Sequence, residues 1–205
     1  MMSIIYQGAR FSFYLLFFLS LPIMLNAYYV LWLWLGLVPE HTTNFMILIL
    51  VFAMSETISN PLVMVMLATG KIRNYQIVVG GLQMLNLPIS FIVMRIGAPP
   101  ESVFWVAIII SQSCLTARLY MLRPLIHLNS IDFLRKVYFN IVKVVVIALP
   151  IPIITSQLFP RGFLWFGFHC LLCITIVGFV ILYIGCNRHE REVIIAKVRS
   201  TFLHK

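Results

Sequence analysis

The 205-residue chain is 61% hydrophobic and only 10% charged, with a mean hydropathy of +1.00. So few charges cannot clothe that much apolar surface in water, which excludes a soluble globule and implies an integral membrane protein. The formal net charge is +9, but the basic residues sit in short loops between apolar runs, a pattern of membrane orientation rather than of nucleic-acid binding.

The first apolar run, residues 11–35, follows a short polar start that carries Arg10. It is too long for a signal-peptide core and no small-x-small cleavage site follows, so it reads as a spanning helix. Pro22 and Asn26 predict a kink, with the freed carbonyls met by neighbouring helices or water. Tyr28, Tyr29, Trp32 and Trp34 gather at its far end, where an aromatic belt belongs. The loop 36–43 contains Pro39 and Glu40 but no lysine or arginine, and is expected to face outward.

The second run, residues 44–69, exceeds the roughly 20 residues needed to cross a bilayer. Glu56 falls near its middle, where a charge costs about 3 kcal/mol or more unless it is paired, hydrated or protonated. The basic turn Gly70-Lys71-Ile72-Arg73 belongs at the cytoplasmic surface. A third run, 75–96, holds Gly80-Gly81, Gln83, Asn86 and Pro88, and the loop 97–101 with Pro99-Pro100 returns outward. The fourth, 102–122, carries Ser111-Gln112-Ser113 at mid-depth and Arg118 near its cytoplasmic end.

Residues 123–138 are polar and basic. Ser130 as N-cap and Asp132 in a first turn predict a surface helix that bends into the fifth span, 139–159, with Pro150 and Pro152 inside it. The sixth run, 163–186, has His169 as its main polar feature, read as packing. In the tail, 187–205, Val193, Ile194, Val198 and Phe202 recur against Arg191, Lys197 and Arg199. That spacing suggests either an amphipathic helix on the anionic inner leaflet or a frayed polar end. The fold class is therefore all-α: a polytopic bundle of six transmembrane helices over residues 1–186, with a cytoplasmic tail over 187–205.

Charge sets the expected orientation. One side or its margin holds Arg10, Lys71, Arg73, Arg118, Arg123, Arg135, Lys136, Lys143, Arg188, Arg191, Lys197, Arg199 and Lys205, and the other only Arg95 and Arg161. Thirteen against two places both termini in the cytoplasm. Cys114, Cys170, Cys173 and Cys186 lie in or at the ends of apolar segments, where cysteine packs as a small hydrophobe. Cys170-Leu-Leu-Cys173 has the spacing of a redox or zinc pair, but no second ligand pair accompanies it.

No nucleophile elbow, phosphate-binding glycine loop, metal cluster or carboxylate pair is present, so neither an enzyme nor a cofactor is expected. The polar residues at depth carry the interest instead. Glu56 and Asn60, four apart, share a helix face with Ser59 nearby; Gln83 and Asn86 sit three apart on the next helix, and Gln112 lies at similar depth on the fourth. Either they line a hydrated cavity for hydroxyl-rich cargo, or they join helices through hydrogen bonds worth about 1 kcal/mol or less. Arg118 and Lys143 are placed to snorkel to the inner surface. Arg118 has the sharper alternative of gripping phosphate bidentately at an inward mouth.

The chain resembles the C-terminal half of polysaccharide flippases of the multidrug/oligosaccharidyl-lipid/polysaccharide superfamily. The resemblance rests on residues 6–10 leading into the helix with Pro22, on Trp34-Leu35-Gly36 with Pro39-Glu40, and on Ala68-Thr69-Gly70-Lys71-Ile72 before Tyr75-Gln76. It continues through Leu87-Pro88-Ile89-Ser90 and covers about the first 125 residues. It implies one lobe of a MATE-like, two-lobed transporter of the inner membrane that moves undecaprenyl-pyrophosphate-linked oligosaccharide outward by alternating access, for O-antigen or capsule assembly. The candidate substrate site, read from the polar residues at depth, is Glu56, Asn60, Gln83, Asn86, Gln112 and Arg118. The implied partners are the lipid-linked oligosaccharide, membrane lipids and a separately encoded N-terminal lobe, because a complete member is about twice as long. A cation-coupled drug antiporter lobe and a non-transporting scaffold subunit are the alternatives.

Overall fold

The structure, a computed structural model, describes residues 2–70, 72–126, 129–158, 162–186 and 190–192. Without water at depth, a chain must satisfy its backbone polar groups within each segment, so long apolar runs become helices. In chain order these are α1 (Met2–Leu25), α2 (Ala27–Leu35), α3 (Thr42–Ala68), α4 (Ile72–Met84), α5 (Asn86–Arg95) and α6 (Ser102–Ile126). They continue as α7 (Ser130–Phe133), a π-helical turn (Leu134–Tyr138), α8 (Phe139–Ala148), α9 (Pro150–Leu158), α10 (Phe163–Val180) and a second π-helical turn (Ile181–Gly185). No strand occurs among the described residues.

These elements make six spans: Met2–Leu25, Thr42–Ala68, Ile72–Arg95, Ser102–Ile126, Ser130–Gln157 and Phe163–Gly185. Their outward faces are apolar, with Leu15, Met64, Met84, Leu87, Ile109 and Leu164 all more than half exposed. The chain is an all-α, multi-pass membrane protein.

Several boundaries differ from the sequence reading: the first span ends at Leu25, with residues 27–35 forming a separate helix, and the fourth and fifth spans reach Ile126 and back to Ser130. The first helix begins at Met2 rather than residue 11, and Arg10, expected in a polar start before the helix, lies within it. Its side chain is buried and its Nη2 lies 2.7 Å from Glu190 Oε1. The fourth span ends later than residue 122, whereas the helix expected to begin at Ser130 and turn into the fifth span does begin there. It passes through the π turn into that span. Phe133 and Val137, both fully buried, lock those turns to the core while Arg135 and Lys136 stay exposed. The cap is Asn129 instead of Ser130: its Oδ1 accepts from the Ile131 N–H at 3.2 Å. The tail pattern built on Val193, Ile194, Lys197, Val198, Arg199 and Phe202 lies outside the described residues.

Packing follows the row third–fourth–second–first span, with the fifth and sixth closing on the first. Two glycines allow close approach. A Cβ at Gly8 would meet Pro61 Cγ at 3.3 Å, so α1 rests directly on α3 there. One at Gly185 would meet the Tyr14 ring at 2.9 Å and Val144 at 3.2 Å. Ala9, Leu62, Leu122, Val144, Cys173 and Val177, each 0% exposed, mark the core between these helices.

Candidate functional site

Two hydroxyls on α3 turn back on their own helix: Ser55 Oγ donates to the Val51 carbonyl at 3.1 Å and Thr57 Oγ1 to the Met54 carbonyl at 2.8 Å. Glu56 has no such local outlet, since a carboxylate accepts and the free groups of a helix interior are few. Its Oε1 is met across the bundle by the Ser111 hydroxyl of α6, which donates to it. Ser111 is itself buried.

The third span supplies the other wall. Pro88 lacks the N–H that would bond the Met84 carbonyl, and the helix breaks there: α4 stops at Met84 and α5 starts at Asn86, running on through Pro88. Gln83 and Asn86 flank that break. Both line a pocket of about 210 Å³ with Glu56, Ser111, Phe52, Ala107 and Ile110. Asn86 Oδ1 also accepts from Ser90 Oγ at 3.3 Å, which orients its amide. A carboxyl, two amides and a hydroxyl from three spans thus converge near the middle of the second span, a set of donors and acceptors suited to hydroxyl groups.

The remaining expected site residues lie elsewhere. Asn60 is exposed rather than in the pocket, although it is one turn from Glu56. Gln112 Oε1 accepts from the Tyr138 hydroxyl of the fifth span, on the far side of α6. Arg118 is 4% exposed and its Nε donates to the Tyr75 hydroxyl at 3.2 Å. It is two turns along α6 from Ser111, so a rise of 1.5 Å per residue separates them by about 10 Å. Its Nη1 is buried with no hydrogen-bond partner among the described residues. Lys143 is exposed, with its Nζ 4.3 Å from the centre of the Phe139 ring.

Two polar clusters went unrecognised in the sequence. His169 is 2% exposed and ties the sixth span to the proline-containing first and fifth spans. Its Nε2 lies 3.1 Å from the Pro152 carbonyl, which can only accept, so the proton is assigned to Nε2 and Nδ1 accepts from Asn26 Nδ2 at 2.9 Å. Asn26 Nδ2 also donates to the Pro22 carbonyl at 2.9 Å. At the opposite end from the N-terminus, Glu101 Oε1 accepts from Asn44 Nδ2 at 3.1 Å and lies 2.6 Å from His41 Nδ1. The Asn44 amide first, then Glu101's own backbone, then His41 hold the Glu101 carboxyl down at about 2. Only the unusual pairing of His with Asn inside apolar runs hinted at the first cluster; the second joins residues 57 and 60 positions apart. Compared with protein-family models, curated proteins and solved structures, the chain returns no match.

Proposed function

We propose that the chain is a lobe of a transporter that flips undecaprenyl-pyrophosphate-linked oligosaccharide across the cytoplasmic membrane for surface polysaccharide assembly. The observation that carries this reading is the mid-span pocket in which Glu56, Gln83, Asn86 and Ser111 converge. Sugar hydroxyls both donate and accept, and a lining of carboxyl, amide and hydroxyl answers both roles. Arg118, with its partnerless Nη1 about 10 Å along the same helix, offers donors to an anionic head. The thirteen-to-two distribution of basic residues supports cytoplasmic termini. The sequence resemblance supports a second, N-terminal lobe that completes the cavity.

The test is complementation in cells whose surface polysaccharide depends on this chain expressed with an N-terminal lobe. Glu56→Ala, Gln83→Ala and Asn86→Ala are each expected to lower translocated polymer about tenfold, the effect of roughly 1.4 kcal/mol lost from binding or the barrier. If all three leave polymer unchanged at equal protein level, the cavity reading fails and a scaffold role stands. Glu56→Gln separates coupling from contact: it keeps the sugar contact and is expected to retain most flipping. An ion-coupled antiporter would lose transport with that substitution.

A further inference from the structure

A second pair of pockets lies on other helices and is independent of the translocation reading. The first, about 500 Å³, sits at the N-terminal end of the bundle between α1 and the start of the fifth span. Ser3, Tyr6, Gln7, Arg10, Lys136 and Asn140 line it. The second, about 290 Å³, is almost wholly apolar and lies between α1, α3 and α8, lined by Phe13, Phe17, Leu21, Met54, Val145 and Leu149 among others. Both pockets are bounded by α1 and the fifth span. Along α1 their residues 3, 7, 10, 13, 17 and 21 recur at three- and four-residue intervals, which is one stripe of a helix.

We propose that this stripe is a binding groove for one anionic phospholipid, with its phosphate ester in the polar pocket and an acyl chain in the apolar one. Lengths agree. Arg10 to Leu21 rises about 16 Å along the helix, close to half of the roughly 30 Å hydrocarbon thickness, the depth of one leaflet. Charge agrees as well. The Arg10 guanidinium is held in place by Glu190 at 2.7 Å and by the Gly185 carbonyl at 3.5 Å, and its buried Nε has no partner among the described residues. Glu190 balances the Arg10 charge, so the net positive charge of the lining rests on Lys136, whose Nζ stands 5.6 Å from the Tyr6 ring centre. Asn140 and Gln7 add neutral donors. A phosphodiester with an apolar tail matches a cation and amides at one end and aromatic and branched side chains at the other.

The experiment is native mass spectrometry of the full chain in detergent, titrated with phosphatidylglycerol and, separately, with phosphatidylcholine. One phosphatidylglycerol is expected to bind at least fivefold more tightly than phosphatidylcholine. Lys136→Ala is expected to weaken it about fivefold, the worth of one lysine at an anionic headgroup. Val145→Trp, which fills the apolar pocket and changes no charge, is expected to weaken it as much. Arg10 is left intact because breaking its buried pair threatens folding. Binding that is blind to the headgroup and to both substitutions means an ordinary annular lipid and overturns the proposal. Displacement by millimolar inorganic phosphate reassigns the polar pocket to a free anion and overturns it too. Glu56→Gln should leave the bound lipid in place, so failure of the translocation reading and failure of this one give different results.

Discussion

Residues in this chain divide into those that satisfy themselves locally and those that reach across the bundle, and the second kind carry the testable consequences. Gly185 is one. With a Cβ 2.9 Å from the buried Tyr14 ring, Gly185→Ala must displace packed groups, and about 1–3 kcal/mol of stability should be lost. A lowered melting temperature in detergent would register it, with Tyr14→Leu in the same chain recovering part of the loss. The bond between Asn26 and His169 is another: a double-mutant cycle with Asn26→Ala and His169→Ala in SDS-driven unfolding should give a coupling near 0.6 and at most about 1.7 kcal/mol. Zero coupling would mean that the two side chains merely sit together. Glu101 sets a pH dependence at the loop end. Its carboxyl titrates near 2 when folded against 4.5 when free, so its contribution is complete above about 4.5 and disappears as pH falls towards 2. The stability gap between the chain and Glu101→Gln should therefore be level at neutral pH and close on acidification through that window.

Elements were more legible in the sequence than the contacts between them. Length and hydropathy alone gave six spans, because a bilayer demands long apolar helices and offers no competing structure. A kink near Pro22 and Asn26 was legible, since proline removes a donor whatever surrounds it; the break before Pro88 was not drawn from the sequence. What misled was charge. Arg10 reads as a water-facing start, yet a buried partner 180 positions away takes it inside. Arg135 and Lys136 read as a surface helix, yet Phe133 and Val137 on the opposite side tie the same turns to the core. In the candidate site, Glu56, Gln83 and Asn86 meet, whereas Asn60 and Gln112 point elsewhere. Spans that are apolar on nearly every side give no periodicity from which to read which face turns inward. Depth could be read from sequence. Azimuth could not.

At the scale of the molecule, the proposed topology has six crossings that return the chain to the side on which it began. Reporter fusions at the two termini should report the same compartment, and insertions at residues 36–41 and 97–101 the opposite one. A reporter placing either loop with the termini would break the proposed topology. The row of spans has a mechanical consequence as well. The third span, from Ile72 to Arg95, has the fourth as its principal neighbour and stands at the edge, with the least core contact of the six. Few buried contacts mean a low local opening free energy, so amide exchange in detergent should be fastest there and slowest in α1 and α3. That edge helix is also one wall of the carboxyl pocket. A wall held mainly by one neighbour is a natural door: swinging it outward would expose Glu56.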